Sequence, residues 1–157
     1  MTVSTTSTRR VDQSGLKVGQ VITIITLLIS FIISSPLLVA LVAIAQLLGG
    51  INSPYAPYRL IYQKLLKPAG IVKPNVIPDN PEPHQFAMLV GAIFNGVGAA
   101  LIWLGIPVAG WVLVWVVIAL ANLNFWLNFC LGCWMYYQFH KLGIPGFTQA
   151  PLSGSAQ

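Results

Sequence analysis

The apolar positions of this chain form two long blocks separated by a polar, proline-rich segment. The first block runs almost unbroken from Leu16 to Leu48, well beyond the roughly 20 residues with which one helix crosses a bilayer. Ser34-Ser35-Pro36 lies in its middle, and proline is well tolerated in the first turn of a helix. The pattern therefore predicts membrane helices in two pairs. They cover residues 18–33, 36–51, 84–104 and 107–128.

A single kinked helix is the competing interpretation of the first block. The distribution of positive charge decides between the two, because Lys and Arg are enriched in cytoplasmic loops. With four crossings, all eight basic residues lie on one side, together with both termini. We therefore expect two helical hairpins with cytoplasmic termini. The basic residues are Arg9, Arg10, Lys17, Arg59, Lys64, Lys67, Lys73 and Lys141.

The predicted membrane domain covers residues 16–141, between an N-terminal tail (1–15) and a C-terminal tail (142–157) that we expect to be flexible. Its connector, residues 52–83, holds a short amphipathic segment that predicts a helix lying on the membrane surface. A basic flank that only sets topology is the alternative. The later prolines exclude a continuous helix or a central strand, and Asp79 precedes the third helix, whose positive end favours acidic groups. The candidate surface residues are Arg59, Lys64 and Lys67.

Composition supports an all-α integral membrane protein. The 157 residues are 56% hydrophobic and only 7% charged, whereas about 25% charged residues is usual in soluble domains. The net charge of +5 then marks a surface next to anionic lipid, and we expect no nucleic-acid binding. The helix centres carry no Asp, Glu, Lys or Arg, which argues against proton-coupled transport.

The two apolar blocks also resemble each other. Each has a helix, a tight turn that ends in proline (Pro36, Pro107), a second helix and an aromatic–basic segment. Two crossings per unit predict a parallel tandem repeat, as some transporters have.

The two cysteines of the chain, Cys130 and Cys133, form a C-x-x-C pair after the fourth helix. About 21 residues from Pro107 reach the end of the hydrocarbon core, so the pair lies at the cytoplasmic headgroup level. Cytosolic thiols are kept reduced, which argues against a permanent structural disulfide. A reversible dithiol, a persulfide carrier, a metal pair or two packed thiols are the interpretations left open.

Reactivity depends on where a helix begins. If the fourth helix continues to residue 140, the cysteines lie near its negative end, which disfavours thiolate. The asparagines Asn122, Asn124 and Asn128 instead predict a break or bend between Asn124 and Cys130, with a new helix restarting at Cys130. An unbroken helix would argue for inert cysteines.

A metal site could recruit Cys130, Cys133 and His140, with His84 from the third helix, and these donors suit zinc or copper. The spacing follows no established metal pattern, so no metal is predicted. No cofactor is specified either, and covalent haem is disfavoured because Trp134 follows the second cysteine.

The segment 129–136 reads F-C-L-G-C-W-M-Y and resembles a bacterial membrane family, domain of unknown function 4395, whose signature is F-C-x-G-C-x-x-Y. The similarity covers residues 11–140. Members of that family often neighbour thioredoxin-like and rhodanese-like proteins, so the resemblance implies thiol redox or sulfur transfer. The matching residues are Phe129, Cys130, Gly132, Cys133 and Tyr136.

We therefore expect a bacterial inner-membrane protein that handles thiol–disulfide or sulfane-sulfur chemistry rather than a stand-alone enzyme. Cys130 is the predicted exchanging thiol and Cys133 the resolving one, with a soluble thioredoxin-like or rhodanese-like partner. The alternative is a non-catalytic subunit or assembly factor of a larger membrane complex, with packed cysteines. Transport of a small sulfur species is a third hypothesis.

Overall fold

The computed structural model describes residues 10–73 and 75–147, and this part of the chain is mostly helical. A π-helical turn, Tyr62–Leu66, directly follows the short helix that ends at Ile61. Two short strands complete the fold, β1 (Arg10–Asp12) and β2 (Val76–Pro78). The α-helices are α1 (Gln13–Ile32), α2 (Pro36–Gly50), α3 (Pro57–Ile61), α4 (Pro81–Trp103), α5 (Pro107–Leu127) and α6 (Leu131–Lys141).

Three helices, α1, α4 and α5, are long and apolar enough to cross a membrane. The fourth apolar helix, α2, has 15 residues and is shorter than the usual spanning length. The structure thus agrees with the all-α membrane class and provides three candidate spans within the described residues.

Two helices begin earlier than the hydrophobic pattern predicts. The first starts at Gln13 rather than residue 18, because the Asp12 side chain accepts the Ser14 N–H at 3.1 Å and caps the helix. Helix α4 starts at Pro81 rather than residue 84, since proline fits the first turn, where the N–H has no helical partner.

Strands β1 and β2 pair antiparallel, with Asp12 opposite Val76 and Arg10 opposite Pro78. The Gln13 N–H extends the contact by donating to the Asn75 carbonyl at 2.9 Å. Part of the proline-rich connector is therefore a strand, which a two-stranded ribbon permits because Pro78 lies at the strand's end. The ribbon holds the start of α1 beside the connector.

The core lies where α1, α2, α4 and α5 meet, and Leu27, Val39 and Val114 are fully buried in it. Helices α4 and α5 approach so closely that a Cβ on Gly110 would lie 2.5 Å from the Gly98 carbonyl oxygen. The small glycine residues permit this contact. A polar contact joins α4 to α2, because the fully buried Asn95 side chain donates from Nδ2 to the Gln46 side-chain oxygen Oε1 at 2.8 Å.

Candidate thiol site at the start of the last helix

The helix is interrupted between α5 and α6, as the asparagine cluster predicts. Helix α5 ends at Leu127, and Asn128 then adopts a left-handed conformation with φ 51° and ψ 22°. Asparagine tolerates this region better than most residues. Cys130 follows in an extended conformation as the N-cap of α6, so the predicted break between Asn124 and Cys130 is confirmed.

The break places the cysteine pair at the beginning of a helix instead of its end. The Cys130 sulfur accepts the Cys133 N–H at 3.2 Å, and the Cys130 carbonyl accepts the Trp134 N–H at 3.0 Å. Unpaired N–H groups and the helix dipole make this end of α6 electropositive. Both effects stabilise a thiolate on Cys130.

Cys130 and Cys133 are joined as a disulfide in this structure. The two cysteines differ in access, because Cys130 is partly exposed whereas Cys133 is buried. Of the pair, Cys130 is therefore the sulfur that a second molecule reaches more easily.

A histidine and an aspartate stand behind the buried sulfur. The Cys133 Sγ lies 3.5 Å from His84 Nδ1, and His84 Nε2 lies 2.9 Å from Asp79 Oδ2. An ionised carboxylate only accepts hydrogen bonds, so Nε2 carries the hydrogen in this pair. In the neutral imidazole, Nδ1 is then a free base that faces the Cys133 sulfur.

Local interactions keep Asp79 charged. Burial alone would raise its pKa, but hydrogen bonds from His84 and the Asn80 N–H (2.8 Å) lower it from the ordinary value. Burial and the Asp79 charge raise the pKa of Tyr137, although a hydrogen bond with Asn80 opposes this. At neutral pH, Asp79 is thus a carboxylate beside a neutral phenol.

The glycine of the motif allows α6 to pack directly on α4. A Cβ on Gly132 would lie 2.5 Å from the Ala87 Cβ and 2.8 Å from its Cα. Tyr136 is buried one turn further along, with its ring centroid 6.0 Å from Phe86 and 5.0 Å from Phe147. These contacts set the distance between Cys133 on α6 and the residues at the start of α4.

The structure brings together three of the four residues considered as metal ligands. The donor atoms of His84, Cys130 and Cys133 all lie within 4.8 Å of one another. The fourth, His140, lies outside this group. Its Nδ1 donates to the Phe147 carbonyl at 2.7 Å, and it lies seven residues, or about 10 Å of helix, beyond Cys133.

Sequence reasoning missed Asp79 as a member of the site. Its place before α4 predicts only a favourable interaction with the positive end of that helix, whereas its partner His84 lies across the helix start, five positions later. The available signal was a carboxylate and a histidine flanking the prolines that begin α4.

The candidate surface residues Arg59, Lys64 and Lys67 are all exposed. Two tyrosines of the same segment, Tyr58 and Tyr62, anchor it to the first helix and to the residue that caps this helix. Thr23 Oγ1 donates to the Tyr58 hydroxyl at 2.9 Å, and the Tyr62 hydroxyl donates to Asp12 Oδ2 at 2.7 Å. The tyrosines thus hold the segment, and the basic side chains lie on its exposed side, where Arg59 also donates to the Asn52 side-chain oxygen at 3.4 Å.

A cavity of about 150 Å³ lies between the helices and extends to the thiol site. His84 and Cys130 line one part of it, and polar side chains such as Gln20 and Gln46 line another. Within the described residues, the buried Gln20 Oε1 has no hydrogen-bond partner. The cavity gives a small molecule room beside the Cys130 sulfur.

The sequence profile "Domain of unknown function (DUF4395)" matches residues 11–141, which include every residue of the thiol site. The chain belongs to this family. The match confirms the resemblance drawn from the cysteine motif. No curated protein and no solved structure matches the chain.

Proposed function

We propose that this protein is a bacterial inner-membrane carrier of thiol–disulfide or sulfane-sulfur chemistry. The observation that carries the proposal is the disulfide at the first turn of α6, with Cys133 backed by His84 and Asp79. Each cysteine then has its own means of activation, which two merely packed thiols do not need.

Cys130 is the exchanging thiol in this proposal. Its thiolate, stabilised by the Cys133 N–H and the positive end of α6, attacks a disulfide of a thioredoxin-like partner. A bond forms between Cys130 and one partner sulfur, and the other partner sulfur leaves as a thiolate. With a rhodanese-like persulfide, the same attack transfers the outer sulfur to Cys130 and releases the donor thiolate.

Cys133 resolves the intermediate. His84 Nδ1 removes the Cys133 thiol proton, Asp79 holds the resulting imidazolium, and the Cys133 thiolate attacks the Cys130 sulfur. The intramolecular disulfide forms and the partner leaves as a thiolate, or hydrosulfide leaves from the persulfide. The reverse sequence, driven by a dithiol partner, returns the pair to its reduced state.

The proposed topology has four crossings arranged as two hairpins, with both termini in the cytoplasm. The β1–β2 ribbon supports an even number of crossings between Asp12 and Val76, because it joins the start of α1 to the connector. Helix α2 would then cross with 15 residues, about 22 Å, where local thinning of the bilayer accommodates the mismatch. Arg59, Lys64 and Lys67 would lie at the cytoplasmic headgroups.

Alkylation of the cysteines in intact cells and in inverted vesicles tests the location and the redox state together. We expect labelling in inverted vesicles, with a fraction of the pair that labels only after reduction. Thiols that label solely in detergent would contradict the proposal and favour the subunit or assembly-factor alternative.

Trapping tests the order of the two cysteines. The probe is thioredoxin whose own resolving cysteine is replaced by serine and whose remaining cysteine carries thionitrobenzoate, so that Cys130 displaces the thionitrobenzoate thiolate. The Cys133→Ser variant should then hold a stable mixed disulfide through Cys130, because neither protein retains a resolving thiol. The matched variant Cys130→Ser should trap far less, since Cys133 is buried. Equal trapping by both variants would refute the assigned order. If neither variant forms a mixed disulfide with the probe, the proposed exchange itself is refuted.

A further inference from the structure

We infer that the reduced pair, together with His84, binds one zinc-class divalent ion. This function goes beyond thiol exchange and needs no partner protein. Two thiolates and one imidazole are the donors that zinc favours, and here they come from a single turn of α6 and the first turns of α4.

The distances fit this donor set. Sulfur and nitrogen ligands of a tetrahedral zinc ion, at roughly 2.3 and 2.0 Å, lie about 3.5 Å from each other. The Cys133 Sγ and His84 Nδ1 already have this separation of 3.5 Å. The remaining requirement is that reduction releases the Cys130 sulfur from Cys133, and both sulfurs stay within reach of the histidine.

Asp79 supplies a second, independent indication of a metal site. Histidines that bind metals usually donate their other ring N–H to a carboxylate, which fixes the tautomer and increases the basicity of the ligating nitrogen. His84 makes this contact through Nε2, with Nδ1 directed at the sulfur. Asp79 is 8% exposed and therefore held in place.

The fourth coordination position would be open. Cys130 and His84 both line the cavity of about 150 Å³, so water or an external thiolate has room to complete the tetrahedron. Three protein ligands with an open position distinguish such a centre from a closed structural zinc site.

Redox state and metal binding exclude each other at this site. The metal binds both cysteines as thiolates, so each proton that the thiols carry leaves as H⁺, whereas oxidation removes two electrons and joins the sulfurs. Zinc therefore stabilises the dithiol, and disulfide formation releases the ion.

Titration of the reduced, detergent-solubilised full chain with Co²⁺, and competition by Zn²⁺, tests the inference. We expect one ion per chain, a thiolate-to-cobalt charge-transfer absorption, and its loss on oxidation or on addition of Zn²⁺. The variants Cys130→Ser and Cys133→Ser should each lose the Co²⁺ binding that the reduced wild-type protein shows. Asp79→Asn should weaken binding by about 10–100-fold, as loss of such a partner does elsewhere.

His140→Ala is the matched control for His84→Ala, because both remove an imidazole and only His84 faces the sulfurs. Co²⁺ affinity unchanged in His140→Ala but lost in His84→Ala supports the site. Wild-type affinity in His84→Ala, or no charge-transfer band in the reduced wild type, overturns it. Thermal unfolding of each variant without metal identifies variants that misfold. The variant His84→Cys keeps a soft ligand at this position and should restore Co²⁺ binding. A folded His84→Cys protein that does not bind Co²⁺ also counts against the site.

The two proposals fail separately. A protein that binds Co²⁺ but never forms mixed disulfides retains the metal site without thiol exchange. One that exchanges thiols but shows no cobalt band retains the exchange without the metal site.

Discussion

Each half of the chain places a short helix after a pair of longer apolar helices, and the two short helices are held in different ways. After α2, a left-handed Asn52 (φ 53°) leads to α3, and after α5, a left-handed Asn128 (φ 51°) leads to α6. Each short helix packs near the start of the first helix of its own half. The local architecture is therefore shared, as the hypothesis of a tandem repeat expects.

The difference lies in the residue that begins each short helix and in what it faces. Ala56 begins α3 without a side-chain cap, and two tyrosines tie the segment to α1. Cys130 begins α6 and caps it through sulfur, and Cys133 faces His84. The two short helices therefore share a position in the fold but not a set of titratable side chains. Only α6 combines a cysteine at the helix start with a histidine packed behind the pair, and the proposed function depends on this difference.

The largest expected effect comes from removing that base. His84→Ala should slow the Cys133-dependent release of glutathione from a Cys130–glutathione disulfide by about 100-fold or more, in the range usual for a general base. Single-turnover release of glutathione, with a chelator present, measures this rate at pH 7. The deficit should shrink toward pH 9, where the thiol ionises without help.

His140→Ala is the control for this loss and should release glutathione at the wild-type rate. If His84→Ala also matched the wild type, the histidine would be a packing residue only. A deficit that stayed constant up to pH 9 would indicate a positioning role instead of a base.

Gly132→Ala should produce the next effect by pushing α6 away from α4. The new Cβ meets the Ala87 Cβ at 2.5 Å, and overpacking of this kind costs about 1–3 kcal/mol. We expect a lower midpoint of thermal unfolding in detergent and slower glutathione release, because Cys133 moves relative to His84. Gly96→Ala is the control, since its Cβ would meet nothing within 4 Å. Equal effects of the two substitutions would exclude close packing at Gly132 as the cause.

The left-handed asparagines allow a direct comparison of the two halves. Asn128→Ala should destabilise the protein by about 1 kcal/mol, because a left-handed conformation is unfavourable for alanine, and Asn52→Ala should cost a similar amount. Thermal unfolding measures both losses. Only Asn128→Ala should also alter the rate of cysteine alkylation, since only that turn orients Cys130; equal changes in both variants would contradict the distinction.

The smallest effect should come from the tyrosine anchors of α3. Tyr62→Phe removes the hydrogen bond to Asp12 and should lower the free energy of unfolding by about 1 kcal/mol. The rate of Cys130 alkylation should not change, because this hydrogen bond joins the segment after α3 to Asp12 and does not involve the thiol site. A changed alkylation rate would show that the two short helices communicate.

Hydrophobic patterning and turn residues determined much of this protein on their own. The positions of the apolar helices, the turns before Pro36 and Pro107 and the break at Asn128 follow from local chemistry. The cysteine motif also led to the family. Helix starts were less well predicted, since the cap at Asp12 and the early start at Pro81 involve polar residues outside the apolar runs.

Only the tertiary structure decided which residues surround the cysteines. His84 and Cys133 are 49 positions apart, and their contact depends on how α4 and α6 are rotated and on the close approach at Gly132. The spacing of residues in the sequence allowed His140 as a metal ligand and did not indicate Asp79 as part of the thiol site. Spacing within one helix contains no information on how separate helices pack. The pairing of β1 with the connector was likewise invisible, since register between distant strands arises from the fold as a whole.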